Sequence, residues 1–358
     1  MTVAIAAAGT GGHVFPALAV AGALVAAGLD PAEVVFLGGD RLESRLVSEA
    51  GFPFERFDLV ALRRNLSPRN LRIPLVLRRS TLAMAATMRR RGTKAVLAVG
   101  GYVTVPAAAA ARRLGLPLFL QEQNAVPGLA VRLSARRARN VFLGLPGPAE
   151  RLHGAVLTGN PLRPALAGFD RAVLAQAARR RYGLPDGAVV LGVLGGSLGA
   201  RVLNQAVGGI VSAWRGGPLA VVHLAGIEVD AVAPQAAAAS LPWRCLPFEE
   251  QMEFFYAAAD LVLCRAGAMT ISELAATGTP AVLVPLDRVG QQHNAAALVA
   301  AGAARLVPQA EMSRLPEAVC GVLADSASRL AMARWAREVA RPGAAAEIAA
   351  RLLEAARE

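Results

Sequence analysis

Cysteine is scarce in this chain: Cys245, Cys264 and Cys320 are the only three among 358 residues, at unrelated spacings. An odd count so arranged supports neither a disulfide framework nor a zinc cluster, and fits a reducing cytoplasm. Aromatic residues are few, and between Asp58 and Glu122 there are only Tyr102 and Phe119, which leaves that stretch no stacking platform for nucleic acid. No apolar run reaches the ~20 residues of a bilayer-spanning helix. The longest, residues 14–29, is interrupted by Pro16. The opening Met1-Thr2-Val3-Ala4-Ile5 has no basic leader and runs into a strand-like segment, so no signal peptide is expected. Lysine is almost missing too: every basic residue except Lys94 is arginine.

Acidic residues are absent where it matters most. Between Asp58 and Glu122 there is none, against 12 basic residues. Residues 1–163 carry 21 basic and 9 acidic side chains, a net of +12, and residues 164–358 carry 17 of each. A compositional preference for arginine explains Arg over Lys, but not the missing acids. A field of that sign attracts polyanions or anionic lipid.

What is present is a rhythm. Short Val/Ile/Leu/Ala runs alternate with helical-length Ala/Leu/Arg segments, the pattern of parallel strands with crossover helices. Strands are expected at 3–8, 34–37, 95–99, 117–121 and 141–143, then at 189–194, 219–224, 261–264 and 281–284. A glycine turn follows the first strand of each half, Gly9-Thr10-Gly11-Gly12-His13 and Gly195-Gly196-Ser197-Leu198-Gly199-Ala200. A third, Gly100-Gly101-Tyr102-Val103, also follows a strand. Such turns present backbone N–H groups and a positive helix end to an anion. Neither of the first two is a clean G-x-G-x-x-G or a P-loop, so NAD or ATP is not indicated. Close packing alone could explain one glycine loop, but less readily three. The reading is α/β, with two Rossmann-like domains. They span 1–160 and 161–342, joined at Thr158-Gly159-Asn160-Pro161-Leu162-Arg163-Pro164, with a final helix over 343–358 whose packing partner stays open.

Taken in order, these motifs resemble the MurG family of bacterial peptidoglycan glycosyltransferases. The resemblance runs from Gly9–His13 with Phe15-Pro16-Ala17 through Gly100–Val103, Glu122-Gln123-Asn124, Gly159–Arg163 and Gly195–Ala200. It ends with Cys264-Arg265-Ala266-Gly267-Ala268, Glu273 and Gln291–Asn294, and so covers nearly the whole chain. It implies the GT-B fold, two Rossmann-like domains facing a deep cleft, with acceptor and membrane at the first and the sugar nucleotide at the second. The implied reaction moves N-acetylglucosamine from UDP to the C4 hydroxyl of lipid-linked N-acetylmuramoyl-pentapeptide (lipid I), inverting the donor's α linkage.

The same resemblance implies roles for particular residues. Gly195, Gly196 and Ser197 would hold the diphosphate, helped by Arg163. Ala268, Met269 and Thr270 would offer backbone groups, and Glu273 would accept hydrogen bonds from the ribose. Gln291 and Asn124 would contact the sugar, with Gln292 an open alternative to Gln291 and Thr10-Gly11-Gly12 closing from the other domain. The uracil would meet backbone near Phe248 and Glu249. Each residue also has an ordinary reading: Glu273 as a first-turn helix acid, Ser197 as an N-cap, Asn124 as a turn former, Arg163 as a surface ion-pair residue.

The reaction needs a base for the attacking hydroxyl and stabilisation of the departing diphosphate. His13, in a glycine loop at a helix start, is one candidate, with loop capping as its alternative. Glu122, at a strand end, is the other. No Asp-x-Asp occurs in the chain, so no metal is expected on the diphosphate and no cofactor is called for. Residues 62–79 interleave apolar side chains with arginines, and Leu66, Arg69, Leu71, Arg72, Ile73 and Leu75 are expected to meet an anionic membrane. The alternative there is a solvated basic loop. The expected location is peripheral, on the cytoplasmic face of the cell membrane. Rival readings are another GT-B enzyme using UDP-sugars, a UDP-N-acetylglucosamine epimerase, or a basic nucleic-acid binder, for which no motif is present.

Overall fold

A computed structural model describes residues 1–59, 73–196, 198–286 and 290–358. The chain divides into two compact units, residues 1–163 with 342–358, and residues 164–341. The main run of the first unit ends at Arg163. The Asn160 side chain ties the end of that run to the first sheet: it accepts from Gln121 Nε2 at 2.9 Å and donates to the Gln123 carbonyl at 3.2 Å. A Cβ on Gly144 would collide with it at 2.0 Å.

Among the described residues the first unit holds seven strands: β1 Thr2–Ala6, β2 Val34–Gly38, β3 Phe54–Arg56, β4 Thr93–Ala98, β5 Leu118–Glu122, β6 Asn140–Leu143 and β7 Ala155–Leu157. Their order is β3-β2-β1-β4-β5-β6-β7, with every pairing parallel. The second holds β8 Val189–Leu194, β9 Leu219–Leu224, β10 Trp243–Leu246, β11 Leu261–Cys264, β12 Ala281–Leu283 and β13 Ala304–Leu306, in the parallel order β10-β9-β8-β11-β12-β13. Six strands in that order are the doubly wound dinucleotide-binding topology.

The inner strands are buried on both faces, which is why they read as continuous apolar runs. On one face of the first sheet, Val3, Ile5, Phe36, Leu97 and Phe119 pack under the helix Gly11–Ala26 and the C-terminal helix Ala344–Arg357. On the other, Ala4, Val35, Val96 and Leu120 pack under the helices Ile73–Arg90 and Thr104–Leu114. In the second unit Leu191, Val193, Val221 and Leu263 form a core with the helices Arg201–Ala213 and Leu315–Ala324.

In each unit the chain winds outward from the first strand, then crosses to that strand's other side. The strand-order reversal lies between β1 and β4 in one sheet and between β8 and β11 in the other. At such a switch point the loops leaving neighbouring strands diverge and open a crevice at the carboxyl edge. All three glycine loops lie at these two places.

Candidate active site

In the first unit the loop after β1 leads into the helix Gly11–Ala26, whose N-cap Thr10 makes no side-chain capping bond. Of its first N–H groups that of His13 donates to the Thr10 carbonyl at 3.0 Å, and no Thr10 side-chain cap covers those of Gly11 and Gly12. Thr10 Oγ1 lies instead 3.4 Å from His13 Nδ1. The loop after β4 explains its own glycines: a Cβ on Gly100 would sit 2.9 Å from His13 Cδ2, and Gly100 and Gly101 have φ of +74° and +73°. The glycine pair is the space into which the imidazole packs. Burial lowers the proton affinity of His13, and the charge of Glu43 opposes that.

Glu122, at the end of β5, is buried and committed. Its Oε1 accepts the Asn124 N–H at 3.0 Å and Asn124 Nδ2 at 3.2 Å, and its Oε2 accepts the Gly128 N–H at 2.8 Å. Burial raises its pKa and these bonds pull it back. Asn124 is thereby held in the same turn. Arg163 closes the unit with its guanidinium carbon 5.1 Å from the Phe15 ring centroid.

In the second unit two further helices start at the switch point without a side-chain cap, Arg201–Ala213 after β8 and Ala268–Thr277 after β11. Elsewhere in this unit Asp170 and Asp325 cap the helices Arg171–Tyr182 and Ser326–Glu338, whereas Val229–Ala238, Met252–Ala258, Gln291–Ala300 and Leu315–Ala324 also start without a side-chain cap. The glycines after β8 divide by role. A Cβ on Gly199 (φ +80°) would lie 2.1 Å from the Ala225 carbonyl oxygen, so that glycine serves packing. Gly196 (φ +92°) has nothing within 4 Å of its Cβ position, and its backbone is open to approach. Ser197, between them, lies outside the described residues, as do Leu66, Arg69, Leu71 and Arg72. Ile73 opens its helix, and Leu75 follows at 50% exposure.

On the neighbouring loop Ala268 is buried, Met269 and Thr270 are half-buried, and Glu273 lies one turn farther in. The buried Tyr256 donates to Glu273 Oε2 at 2.8 Å and fixes that carboxylate. Sequence reading missed Tyr256, for it is 17 residues away on the helix Met252–Ala258. Asn294 Nδ2 donates to the Ala266 carbonyl at 3.2 Å, anchoring the helix Gln291–Ala300 to this loop. Gln291 Oε1 accepts the Leu286 N–H at 3.0 Å, while Gln292 is exposed.

The Glu249 side chain belongs to a network of its own. Its carboxylate takes Arg181 Nη2 at 2.9 Å, Tyr182 Oη at 2.7 Å and the Gln251 N–H at 2.9 Å. Burial would raise its pKa, but these donors hold it below the usual carboxylate range.

Residues 3–143 match the N-terminal domain of glycosyltransferase family 28, and residues 190–348 match its C-terminal domain. The chain belongs to glycosyltransferase family 28. A family member from Idiomarina loihiensis, the UDP-N-acetylglucosamine–N-acetylmuramyl-(pentapeptide) pyrophosphoryl-undecaprenol N-acetylglucosamine transferase, is 41% identical over 353 residues, 96% of this chain and 95% of its own. The crystal structure of Acinetobacter baumannii MurG is 31% identical, with a TM-score of 0.78 over 99% of this chain and 100% of that one. UDP-GlcNAc 2-epimerase from Neisseria meningitidis matches with a TM-score of 0.70 over 99% of this chain and 100% of its own, but at 14% identity it shares the fold alone.

Proposed function

We infer that this chain transfers N-acetylglucosamine from UDP-N-acetylglucosamine to undecaprenyl-diphospho-N-acetylmuramoyl-pentapeptide, giving the β1→4-linked lipid II of peptidoglycan synthesis. The observation that carries this is near-full-length identity of 41% to a transferase of that name, on a two-unit parallel-sheet fold. The epimerase rival keeps only the fold.

Within that reading the second unit holds the donor. The open Gly196 backbone and Ser197 take the diphosphate at a helix start, and Arg163 adds a guanidinium to the leaving charge. Ala268, Met269 and Thr270 supply backbone contacts, Glu273 accepts from the ribose, Glu249 offers backbone to uracil, and Gln291 reaches the sugar with its amide NH2. The first unit holds the acceptor, and its Thr10, Gly11, Gly12 and Asn124 are assigned to sugar contacts. His13 is the base, because both oxygens of Glu122 already hold the 122–128 turn. The first unit also meets the anionic inner face of the cell membrane. No described helix is long and apolar enough to cross it.

The deciding experiment incubates the protein with labelled UDP-N-acetylglucosamine and a short-chain lipid I analogue. A labelled disaccharide-lipid product is expected. Conversion of UDP-N-acetylglucosamine to an epimer without acceptor would move the assignment to the epimerases, and salt-dependent retention on oligonucleotides without sugar-nucleotide binding would move it to nucleic acid.

A further inference from the structure

Glu43 has no part in the roles assigned so far. It lies on the first turn of the helix Leu42–Glu49, where an acid favours the helix dipole even from the surface. Here it is turned inward, with 0% exposure. Its Oε2 accepts the Gly9 N–H at 3.2 Å and its Oε1 accepts the Gly39 N–H at 3.0 Å. These glycines lie just past β1 and β2, so one carboxylate holds two loops at the carboxyl edge of the first sheet. No cation pairs with it among the described residues. A buried charge without a counter-ion is costly to keep, and its field on near neighbours is strong.

Those neighbours are chemical groups. A Cβ on Gly9 would lie 4.0 Å from His13 Nδ1 and 3.7 Å from Tyr102 Cε1, and a Cβ on Gly39 would lie 3.0 Å from Glu43 Oε1 and 3.5 Å from Tyr102 Oη. The carboxylate, the phenol and the imidazole thus surround the Gly9 turn. Burial pushes the His13 pKa down and Glu43 draws it up. Burial, Glu43 and Asp40 raise that of Tyr102, against Arg41, whose guanidinium carbon lies 5.9 Å from the ring centroid.

We propose that Glu43 is a positioning residue for His13, fixing the turn that carries the imidazole and supplying the negative charge that stabilises its protonated form. This rests on the reading of His13 as base. In the step concerned the acceptor hydroxyl gives its proton to an imidazole nitrogen, while its oxygen bonds the sugar C1. The bond from C1 to the diphosphate oxygen breaks, UDP leaves with that electron pair, and the imidazolium later returns its proton to solvent.

The test combines histidine NMR titration of the whole enzyme with steady-state kinetics on Glu43→Gln and Glu43→Asp. Glu43→Gln should lower the His13 titration midpoint and move the acidic limb of the kcat profile the same way. It should also lower kcat on the order of 10- to 100-fold with donor KM little changed. Glu43→Asp, which keeps the charge on a shorter stem, should shift the midpoint less, and it decides the matter if the glutamine variant fails to fold. In a His13→Ala background Glu43→Gln should cost little more. An unmoved His13 titration and acidic limb in the variants would reduce Glu43 to a loop anchor and overturn the proposal. If His13→Ala keeps its kcat, the base reading fails, whereas the NMR shift still reports whether the two residues are coupled.

Discussion

Glu273 shows how a residue legible in the sequence depends on one that is not. Its carboxylate is held by Tyr256 Oη, so the acid proposed to meet the ribose is already oriented before a ligand arrives. Glu273→Ala should raise donor KM on the order of 10-fold or more while leaving kcat near that of the parent. Tyr256→Phe should give a smaller rise of the same kind, since one charge-assisted bond is lost and the acid remains. A kcat-only effect in either variant would separate the pair from donor binding. His223 carries a second consequence at this scale. It has 0% exposure, and its Nε2 lies 3.0 Å from Asn204 Oδ1. Asn204 Nδ2 donates to the Ala225 carbonyl at 3.0 Å and to Glu228 Oε2 at 3.1 Å, which fixes the amide and makes Nε2 the protonated nitrogen. Burial pushes this imidazole down to about 4, whereas an unfolded histidine titrates near ~6.5. Between those values the unfolded chain takes up a proton that the folded one refuses. Stability is therefore intact above ~6.5 and falls as pH drops toward 4, by up to about 3 kcal/mol. Urea midpoints of the parent and His223→Gln should converge as pH is lowered across that window, and parallel profiles would contradict the assignment.

At the scale of elements, the strands that sequence reading misses are β3, β7, β10 and β13, the two edges of each sheet. Inner strands such as β2, β5 and β9 are buried at every position and read as apolar runs. The edge strands are three or four residues long and largely half-exposed, as in Phe54-Glu55-Arg56 and Trp243-Arg244-Cys245-Leu246. A strand covered on one side only needs no continuous apolar run, so its signal is lost among the loops. The glycine turns were legible because each stands at the carboxyl end of an inner strand. Their partners were not: Glu43, Tyr256 and the Gln121–Gln123–Asn160 amide network come from segments whose meeting depends on the fold. The C-terminal helix offers a test here. Ile348, Leu352 and Leu353 sit in the core beneath β1 and β4, and burying such side chains stabilises by roughly 1.5–3 kcal/mol each. That sum approaches the ~5–15 kcal/mol of a whole domain. Removing residues 342–358 should abolish the cooperative melting of the first unit in calorimetry and leave that of the second in place. Leu352→Ala alone should cost about 2–5 kcal/mol. A truncated chain that melts like the parent would mean that the helix is dispensable to the core.

For the whole molecule the deciding asymmetry is charge. The first unit, with its C-terminal helix, carries 23 basic and 12 acidic residues, a net of +11, and the second carries 15 and 14. The proposed acceptor has an undecaprenyl tail and stays in the bilayer, so on that proposal one unit comes to the lipid, and the charge favours the first. There the helix Ile73–Arg90 exposes Leu75 and Leu82 at 50% and 41% and carries Arg78 and Arg79, both exposed. The short helix Leu129–Ser134 exposes Leu129 and Leu133 at 55% and 63% and is followed by Arg136 and Arg137. Met84 and Met88, farther along the first of these helices, are buried in the core, so its apolar residues divide between inside and outside. Each basic residue near an anionic surface contributes about 1 kcal/mol, and that contribution weakens over a Debye length as salt rises. The protein should therefore sediment with anionic vesicles, stay in solution with zwitterionic ones, and dissociate from the former at high salt. A variant with Arg69→Glu, Arg72→Glu, Ile73→Ser and Leu75→Ser should lose the vesicle pellet yet keep its turnover of a water-soluble acceptor. If that variant sediments like the parent, and Leu129→Ser with Leu133→Ser releases it instead, the lipid contact belongs to the second helix. If neither set changes sedimentation, the membrane meets this protein through another surface.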